Sequence, residues 1–574
     1  MTSFAPSAQK PRGANPLREA LGACRTAWIA LGVISFFISV LTLTVPLYTL
    51  QLFDRVISGR SVETLLYLSL VAVAALIALG SLEALRNRML IRVSGWLGQR
   101  VGADALGKAV QYRALGGGYG AQVLRDLSQL RQFIASHGLI VLFDAPWVPI
   151  YLAVIFLLHP LLGAIAGAGA LVLLALAWIN EALTREPLRQ ASGARTQALR
   201  KVELALGQAD SVEAMGLLPQ VLRRWQSDDD ASRDHSASAG NRAGAVAALA
   251  KSFRWMLQVA MLGAGTYLAL EQQLTAGAMI AGSIILTRGL QPVESAIHGW
   301  KALVQARLAL ARLNEFFDHA PRRHVDIALP EPTGRLSVER LAFAGSERST
   351  PILKGFSFEL EAGQALAVIG PSGSGKSTLA RLLVGIRKPT VGAVRLDGAD
   401  VHAWERADFG RHVGYLPQDA ALFEGTVAEN IARLGEANPE AVVAAAQLAG
   451  AHEMILALPQ GYRTPVGESG LPLSGGQRQL IALARAVFGR PRFVVLDEPN
   501  AGLDGEGERA LARCLCRLRE SGATVVLIAH RPSLVRQADR VLVLKEGAIE
   551  MCGTPADVLP RLGLASASLQ RSIG

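Results

Sequence analysis

The sequence predicts a multi-domain chain, with an all-α transmembrane domain of six helices followed by an α/β P-loop domain. Three observations predict it. Apolar residues crowd into positions 1–300, while positions 336–570 read as an ordinary soluble domain. The string GPSGSGKST (Gly370–Thr378) follows an apolar run, ALAVIG, and opens a second one, LARLLVG. The string LSGGQ (Leu473–Gln477) precedes FVVLDEP (Phe493–Pro499).

Composition agrees with this division. The 574 residues exceed one domain, since a typical domain has about 100–200 residues. Charged residues make up 18%, below the roughly 25% of soluble proteins, and the mean hydropathy is +0.30. The net charge of +11 reads as Lys and Arg flanking the cytoplasmic ends of membrane spans. No basic stripe interleaved with aromatics appears, so no nucleic-acid partner is expected. Of the four cysteines, Cys514 and Cys516 have the wrong spacing for a CxxC pair. All four are expected to be reduced and structural. The polar N-terminus shows no cleavable signal peptide.

Taken in order, residues 1–22 are Pro-, Ser- and Gly-rich and predict a disordered cytoplasmic tail. Residues 23–317 predict the membrane domain. A helix needs about 20 apolar residues to cross a bilayer. The first two spans are Thr26–Tyr48 and Thr64–Leu85, joined by the loop QLFDRVISGRSVE. Arg86, Arg88, Arg92 and Arg100 follow the second span and place the N-terminus in the cytoplasm. The third span starts near Leu139 and the fourth ends near Trp178, with a tight turn at His159–Pro160. The fifth covers Phe253–Leu270, and the sixth runs from Ala276 towards Trp300. Six spans return both termini to the cytoplasm.

The connections at 86–138 and 179–252 are too long for simple loops. Their amphipathic pattern predicts helical extensions of the spans, with tips at GGGYG (Gly116–Gly120) and EAMGLL (Glu213–Leu218). GGGYG lacks the Lys-Ser/Thr of a phosphate loop and predicts a turn. EAMGLL offers an apolar face that would pass ATPase motion to the spans. Residues 318–335 predict a linker, and 336–570 the nucleotide-binding domain.

Charges inside spans are costly and point to function by default. Asp144 lies near the start of a span and predicts a structural role. Arg288 and Glu294, on either side of Pro292, divide evenly between a structural role, near the membrane edge or paired with one another within the bundle, and a polar wall of a transport pathway.

The soluble half carries the chemistry. Gly370, Pro371, Ser372, Gly373, Ser374, Gly375, Lys376, Ser377 and Thr378 form a loop whose N–H groups can cradle phosphates. Lys376 supplies a point charge, Ser377 a hydroxyl for Mg²⁺, and the helix behind them its positive end. Asp497 ends an apolar strand and fits a Mg²⁺ partner. Glu498 fits the base that polarises an attacking water. His530 ends another apolar strand and can reach the γ-phosphate. Gln418 can reach Mg²⁺ and the water, from where the ATPase would meet the membrane helices. Leu473, Ser474, Gly475, Gly476 and Gln477 open a helix whose end can bind an anion. That end needs a γ-phosphate from another copy, which predicts head-to-tail pairing with Asp504 at the seam.

With these residues the chain resembles the ATP-binding cassette (ABC) exporters. More narrowly, it is similar to the type I secretion exporters of proteases, lipases and haemophores in Gram-negative bacteria. The strings carrying this are VPLYTLQLFDRVISGRSVETL (45–65), LFDAPWVPIYLAVIFLLHPLLG (142–163), AGSIILTRGLQPVESAIHGWK (281–301) and DEPNAGLDGEGE (497–508, with Asn500). The resemblance implies an ATP- and Mg²⁺-dependent homodimer in the inner membrane. It also implies a periplasmic adaptor, an outer-membrane channel and a cargo polypeptide with an uncleaved C-terminal signal. Two features depart from related exporters. Gly345 stands where an aromatic often stacks on adenine, and Phe343 reads as strand core. No peptidase-like domain is expected ahead of the spans, because only a short stretch precedes Thr26, which argues against leader-peptide cleavage. The alternatives are a lipid or drug exporter of the same architecture, and a gated channel or receptor, which would tend to lose one of Lys376, Ser377, Glu498 or His530. Six spans exclude a soluble DNA-maintenance ATPase.

Overall fold

The computed structural model describes residues 15–116, 120–319, 329–345, 350–436, 438–467 and 470–562. The chain divides into two compact units, residues 1–321 and 322–574.

The first unit is all helical. Helix α1 (Pro16–Ala23) starts on Asn15, whose side chain accepts the Leu17 N–H, and Pro16 suits the first turn. Leu17 and Ala20 are buried, and Asn15 Nδ2 donates to Asn314 Oδ1 (3.1 Å) and Asp318 Oδ1 (3.2 Å). The expected tail is therefore ordered helix from residue 15 onwards. The sequence reading missed the apolar face of PLREALGA; residues 1–14 lie outside the described set.

The first span is broken into α2 (Arg25–Thr42) and α3 (Thr44–Gln51), then a π-helical turn, Leu52–Ile57. The loop expected at 51–63 is thus mostly helix. Within it Asp54 accepts from Thr275 Oγ1 (2.6 Å) and the Gly277 N–H (3.1 Å). Ser61 caps the 53-residue α4 (Val62–Ala114). Next come α5 (Gln122–Ile134), α6 (His137–Asp144), a 3₁₀ turn at Ala145–Trp147 and α7 (Val148–Leu158). The third span is therefore interrupted at Pro146 and Pro149. His159 caps α8 (Pro160–Leu206) by accepting the Leu161 N–H, which makes the expected tight turn. Helices α9 (Ala209–Ala214), α10 (Leu218–Leu270) and α11 (Ala276–His319) complete the unit.

The long connections are helical extensions, as the amphipathic pattern predicts. Of the tips, EAMGLL forms the α9–α10 turn and exposes Met215 and Leu218; most of GGGYG lies outside the described residues. The expected linker begins as the last turn of α11, and residues 320–328 lie outside the described set.

Among the described residues, five segments are long and apolar enough to cross a membrane: Arg25–Ile57, Val62–Ala114, Gly138–Leu158, Pro160–Leu206 and Leu218–Leu270. The sixth expected span, α11, is not among them, because Arg288 and Gln291 dilute its apolar stretch. It nonetheless shares a core with α7, α8 and α10 through Ile285, Leu290, Val293, Ile155, Leu173 and Met261.

The second unit contains two main sheets. Strands β1 (Leu336–Phe343), β2 (Leu353–Leu360), β4 (Val391–Leu396) and β5 (Ala399–Asp400) form an antiparallel sheet in the order β2-β1-β4-β5. The larger sheet is ordered β12-β11-β3-β10-β9-β6. It comprises β3 (Ala365–Ile369), β6 (Val413–Leu416), β9 (Phe493–Asp497), β10 (Thr524–Ile528), β11 (Arg540–Lys545) and β12 (Ala548–Gly553). All are parallel except edge strand β12. Strands β7 (Gly425–Thr426) and β8 (Pro465–Val466) pair separately. β3, β9 and β10 are buried throughout, so their continuous apolar runs suit a sheet covered on both faces.

All four cysteines are free. Cys24 and Cys514 are buried, whereas Cys516 and Cys552 are exposed, so the expected packing role fails for the latter two. Burial pushes the Cys514 thiol up to about 12.

Candidate nucleotide site

Strand register builds the site. Ile528 of β10 pairs with Val368 of β3 on one side and Asp497 of β9 on the other, and Leu416 of β6 pairs with Leu496. The residues just beyond these positions are Gly370, Glu498, His530 and Gln418. Parallel strands thus deliver four groups, distant in sequence, to one carboxyl edge, where such sheets bind ligands.

The P-loop has the geometry expected of it. Gly370, Gly373 and Gly375 have φ of +154°, +79° and +103°. A Cβ on Gly370 would lie 2.0 Å from the Leu544 carbonyl oxygen, so only glycine fits there. Lys376 is buried and donates to the carbonyls of Gly370 (2.8 Å) and Pro371 (2.9 Å), which fixes its ammonium inside the loop. Burial lowers its pKa, against the pull of Glu498 and Asp497. The helix behind the loop, Lys376–Leu383, starts at Gly375. Pro371, Ser372 and Gly373 are exposed, so the rim of the loop is open.

Asp497 is almost fully buried, and its Oδ1 has no hydrogen-bond partner. Burial raises its pKa, partly offset by a hydrogen bond with Ser377. An orphaned carboxylate oxygen beside a serine hydroxyl fits Mg²⁺, which binds through one or two carboxylates with phosphates and waters completing its shell. No group of three or more His, Cys, Asp or Glu that could hold a metal ion is found among the described residues.

Glu498 sits at the centre of the edge. Its Oε2 accepts from Gln418 Nε2 (3.3 Å), and its Oε1 lies 3.4 Å from His530 Nε2. Its φ of +50° is unusual for a residue with a side chain. Strain of this kind persists where surrounding structure enforces it, commonly at functional sites. Gln418 and His530, far apart in the sequence, therefore both meet Glu498.

The signature residues form a second feature. Ser474 caps the helix Gly475–Val487 by accepting the Gln477 N–H, and the Gln477 side chain accepts the Ser474 N–H at 2.9 Å. Ser474 and Gly475 are exposed, while Leu473 anchors the turn in the core. A Cβ on Gly476 would lie 2.8 Å from the Gly502 carbonyl oxygen. Sequence reasoning missed Gln479, whose buried amide donates to the Pro499 carbonyl (3.2 Å) and ties this helix to the Asp497–Glu498 strand. Its only signal was a polar residue on the apolar face of RQLIALARAVF. Asp504 accepts the Gly507 N–H at 2.8 Å, capping the next helix. Phe343 lies in β1, half-buried against the edge of the core, with the Arg387 guanidinium over its ring (5.4 Å).

The intramembrane charges fall out differently. Glu294 is paired with Arg254 of α10 at 2.8 Å, both largely buried. Arg288 is exposed on the unit's surface. Glu294 therefore has the bundle-pairing role, although its partner is Arg254 and not Arg288. Asp144 pairs with Arg86 (2.7 Å), which also donates to Ser35 Oγ (3.1 Å). The structural role expected of Asp144 holds. Arg86 is buried within the bundle and is not one of the flanking surface charges.

A phosphate loop and signature helix behind a bundle of membrane-length helices define an ABC transporter, a multi-pass membrane protein that couples ATP hydrolysis to transport. The family models agree: residues 353–501 match "ABC transporter" and 28–291 match "ABC transporter transmembrane region". The chain belongs to the type I secretion ATP-binding proteins within that family. It is 42% identical to the type I secretion system ATP-binding protein PrsD of Rhizobium meliloti over 96% of this chain and 95% of that one. It is 31% identical to the cyclolysin secretion/processing ATP-binding protein CyaB of Bordetella pertussis, covering 93% of this chain and 76% of that one. A solved bacterial Atm1-family ABC exporter with ATP bound superposes with a TM-score of 0.81 at 26% identity, covering 95% of this chain and 97% of that one.

Proposed function

We propose that two copies of this chain form a homodimeric exporter in the inner membrane, with both termini in the cytoplasm and two composite ATP sites. Its cargo is a polypeptide carrying an uncleaved C-terminal signal. A periplasmic membrane-fusion adaptor and an outer-membrane channel continue the path. The observation that carries this reading is the pair of anion-binding features on one chain. The P-loop gathers Lys376, Ser377, Asp497, Glu498 and His530, while the capped helix end at Ser474–Gly475 is exposed. In head-to-tail pairing, each signature helix covers the nucleotide held by the partner, and Asp504 lies at the seam. The names of the relatives, secretion and toxin-translocation proteins, support a polypeptide cargo.

Within each site Lys376 and the loop N–H groups hold the phosphates. Ser377, Asp497 and Gln418 would hold Mg²⁺, which supplies charge against the phosphate oxygens. Glu498 orients and polarises water, held in place by Gln418 and His530. Arg288, exposed on α11, faces the transport path in this reading, whereas Glu294 keeps α11 against α10.

Mixed dimers test the pairing. With Lys376→Ala on one copy and Ser474→Arg on the other, one composite site is damaged twice and one stays intact, so part of the ATPase activity should survive. Loss as complete as in either mutant homodimer would refute composite sites. Cargo class is tested by reconstituted transport with candidate C-terminal tails. Stimulation by lipids or drugs, and by no tail, would move the assignment to a small-molecule exporter.

A further inference from the structure

A half-open cavity of about 670 Å³ lies between α5, α8, α10 and α11, and nothing in the ATP chemistry uses it. Its size is within the range of about 300–1,000 Å³ typical of ligand sites. Four cationic side chains line it: Arg125, Arg195, Lys301 and Arg312. Two are already matched. Arg312 makes a bidentate contact with buried Asp126 (2.9 and 2.6 Å), and Arg125 pairs with Glu203 (2.9 Å). Arg195 on α8 and Lys301 on α11 have no carboxylate partner among the described residues. The Asp126–Arg312 pair is a rigid neutral wall, so the uncompensated charge belongs to Arg195 and Lys301, on two different helices.

The rest of the lining selects among anions. Gln129, Gln132 and Gln305 each offer both a donor and an acceptor, while Thr196, whose hydroxyl donates to the Ser192 carbonyl, offers an acceptor. A small inorganic anion only accepts hydrogen bonds and would leave those acceptors unused. A peptide backbone presents N–H and C=O groups in alternation and matches both. We propose that this cavity binds an extended acidic segment of the transported polypeptide, with Arg195 and Lys301 taking its carboxylates. The proposal rests on the polypeptide-exporter reading and names where, and by what chemistry, the cargo is first held.

The test uses the full-length protein in lipid nanodiscs and a fluorescein-labelled decapeptide of alternating Asp and Ser. The expected result is saturable binding, with the matching Asn/Ser peptide weaker by about tenfold or more, the loss of one charge-assisted contact. The double variant Arg195→Glu, Lys301→Glu should lose binding to a similar degree, and Arg195→Lys, Lys301→Arg should restore it. If the reversed variant does not elute as a single species, Lys301→Gln replaces it, with a smaller loss expected. Equal binding of the two peptides, binding unaffected by these variants, or displacement by citrate as effective as by unlabelled peptide would overturn the proposal. If no acidic peptide binds while a C-terminal tail still drives transport, the cavity assignment falls alone. If no tail drives transport, both fall.

Discussion

Lys376, Asp497 and Glu498 meet at one sheet edge of the ATPase half, and Asp497 keeps an oxygen with no partner. In the membrane half, Arg86 meets Asp144 and Arg254 meets Glu294, charge against charge. The contrast follows from what completes each site. In the proposed function the ATPase edge would be finished by phosphates and a metal, which accounts for the Asp497 oxygen left without a protein partner. The membrane pairs are finished by the fold, because an unmatched charge in the bundle is costly. At these residues, a carboxylate oxygen without a partner goes with the nucleotide edge, and matched ion pairs go with the bundle.

The largest effect should come from the chemical side. Glu498→Gln should lower ATP turnover by about 10²–10⁴-fold, the usual worth of a positioned acid or base, and trap an ATP-bound dimer. Phosphate release by the purified variant checks this, and near-normal hydrolysis would remove Glu498 from its role. On the architectural side, Arg86→Ala leaves the half-buried Asp144 without its cation and should cost about 3 kcal/mol, the lower end for a broken buried pair. Replacing both with Met and Leu should recover most of that loss in thermal unfolding; no recovery would mean that the pair does more than match charge.

Two comparisons sharpen the division. Glu294→Gln strands Arg254 and should lower the thermal midpoint, whereas Arg288→Gln on the exposed face should stay within about 0.5 kcal/mol while changing transport. Equal destabilisation would merge the roles of the two residues. At the ATPase edge, Asp497→Asn should raise the thermal midpoint of nucleotide-free protein at pH 7. A raised carboxyl pKa favours the folded state below the unfolded aspartate value, and that contribution is lost as pH rises through the folded value. The gain from asparagine should therefore vanish on acidification. A gain independent of pH would point to packing. Ser474→Ala should cost only about 1 kcal/mol from the lost cap; a turnover loss far beyond that stability change would show that Ser474 also contacts nucleotide.

Legibility differed between the halves for a physical reason. GPSGSGKST was readable because phosphate binding needs a local run of N–H groups, and the glycines permitting it must be adjacent. Glu498 and His530 were readable because each ends an apolar strand. Their contact with Gln418, 80 residues from Glu498, was not, because β-sheet order decides it. Arg86 read as a flanking surface charge until α6 brought Asp144 beside it, 58 positions away. Helix α1 was missed because Pro, Gly and Asn around it mask one short apolar face that only α4 and α11 can cover.

By itself the sequence determined the two-part organisation, the phosphate loop, the signature cap and the apolar strands that lead to Glu498 and His530. Each is written in contiguous residues, through backbone conformation and hydrophobic period. Only the tertiary structure decided which charges are matched, where the spans break and which cations are left facing a cavity. Those outcomes depend on pairs far apart in the chain, whose energies exist only once helices and strands are packed.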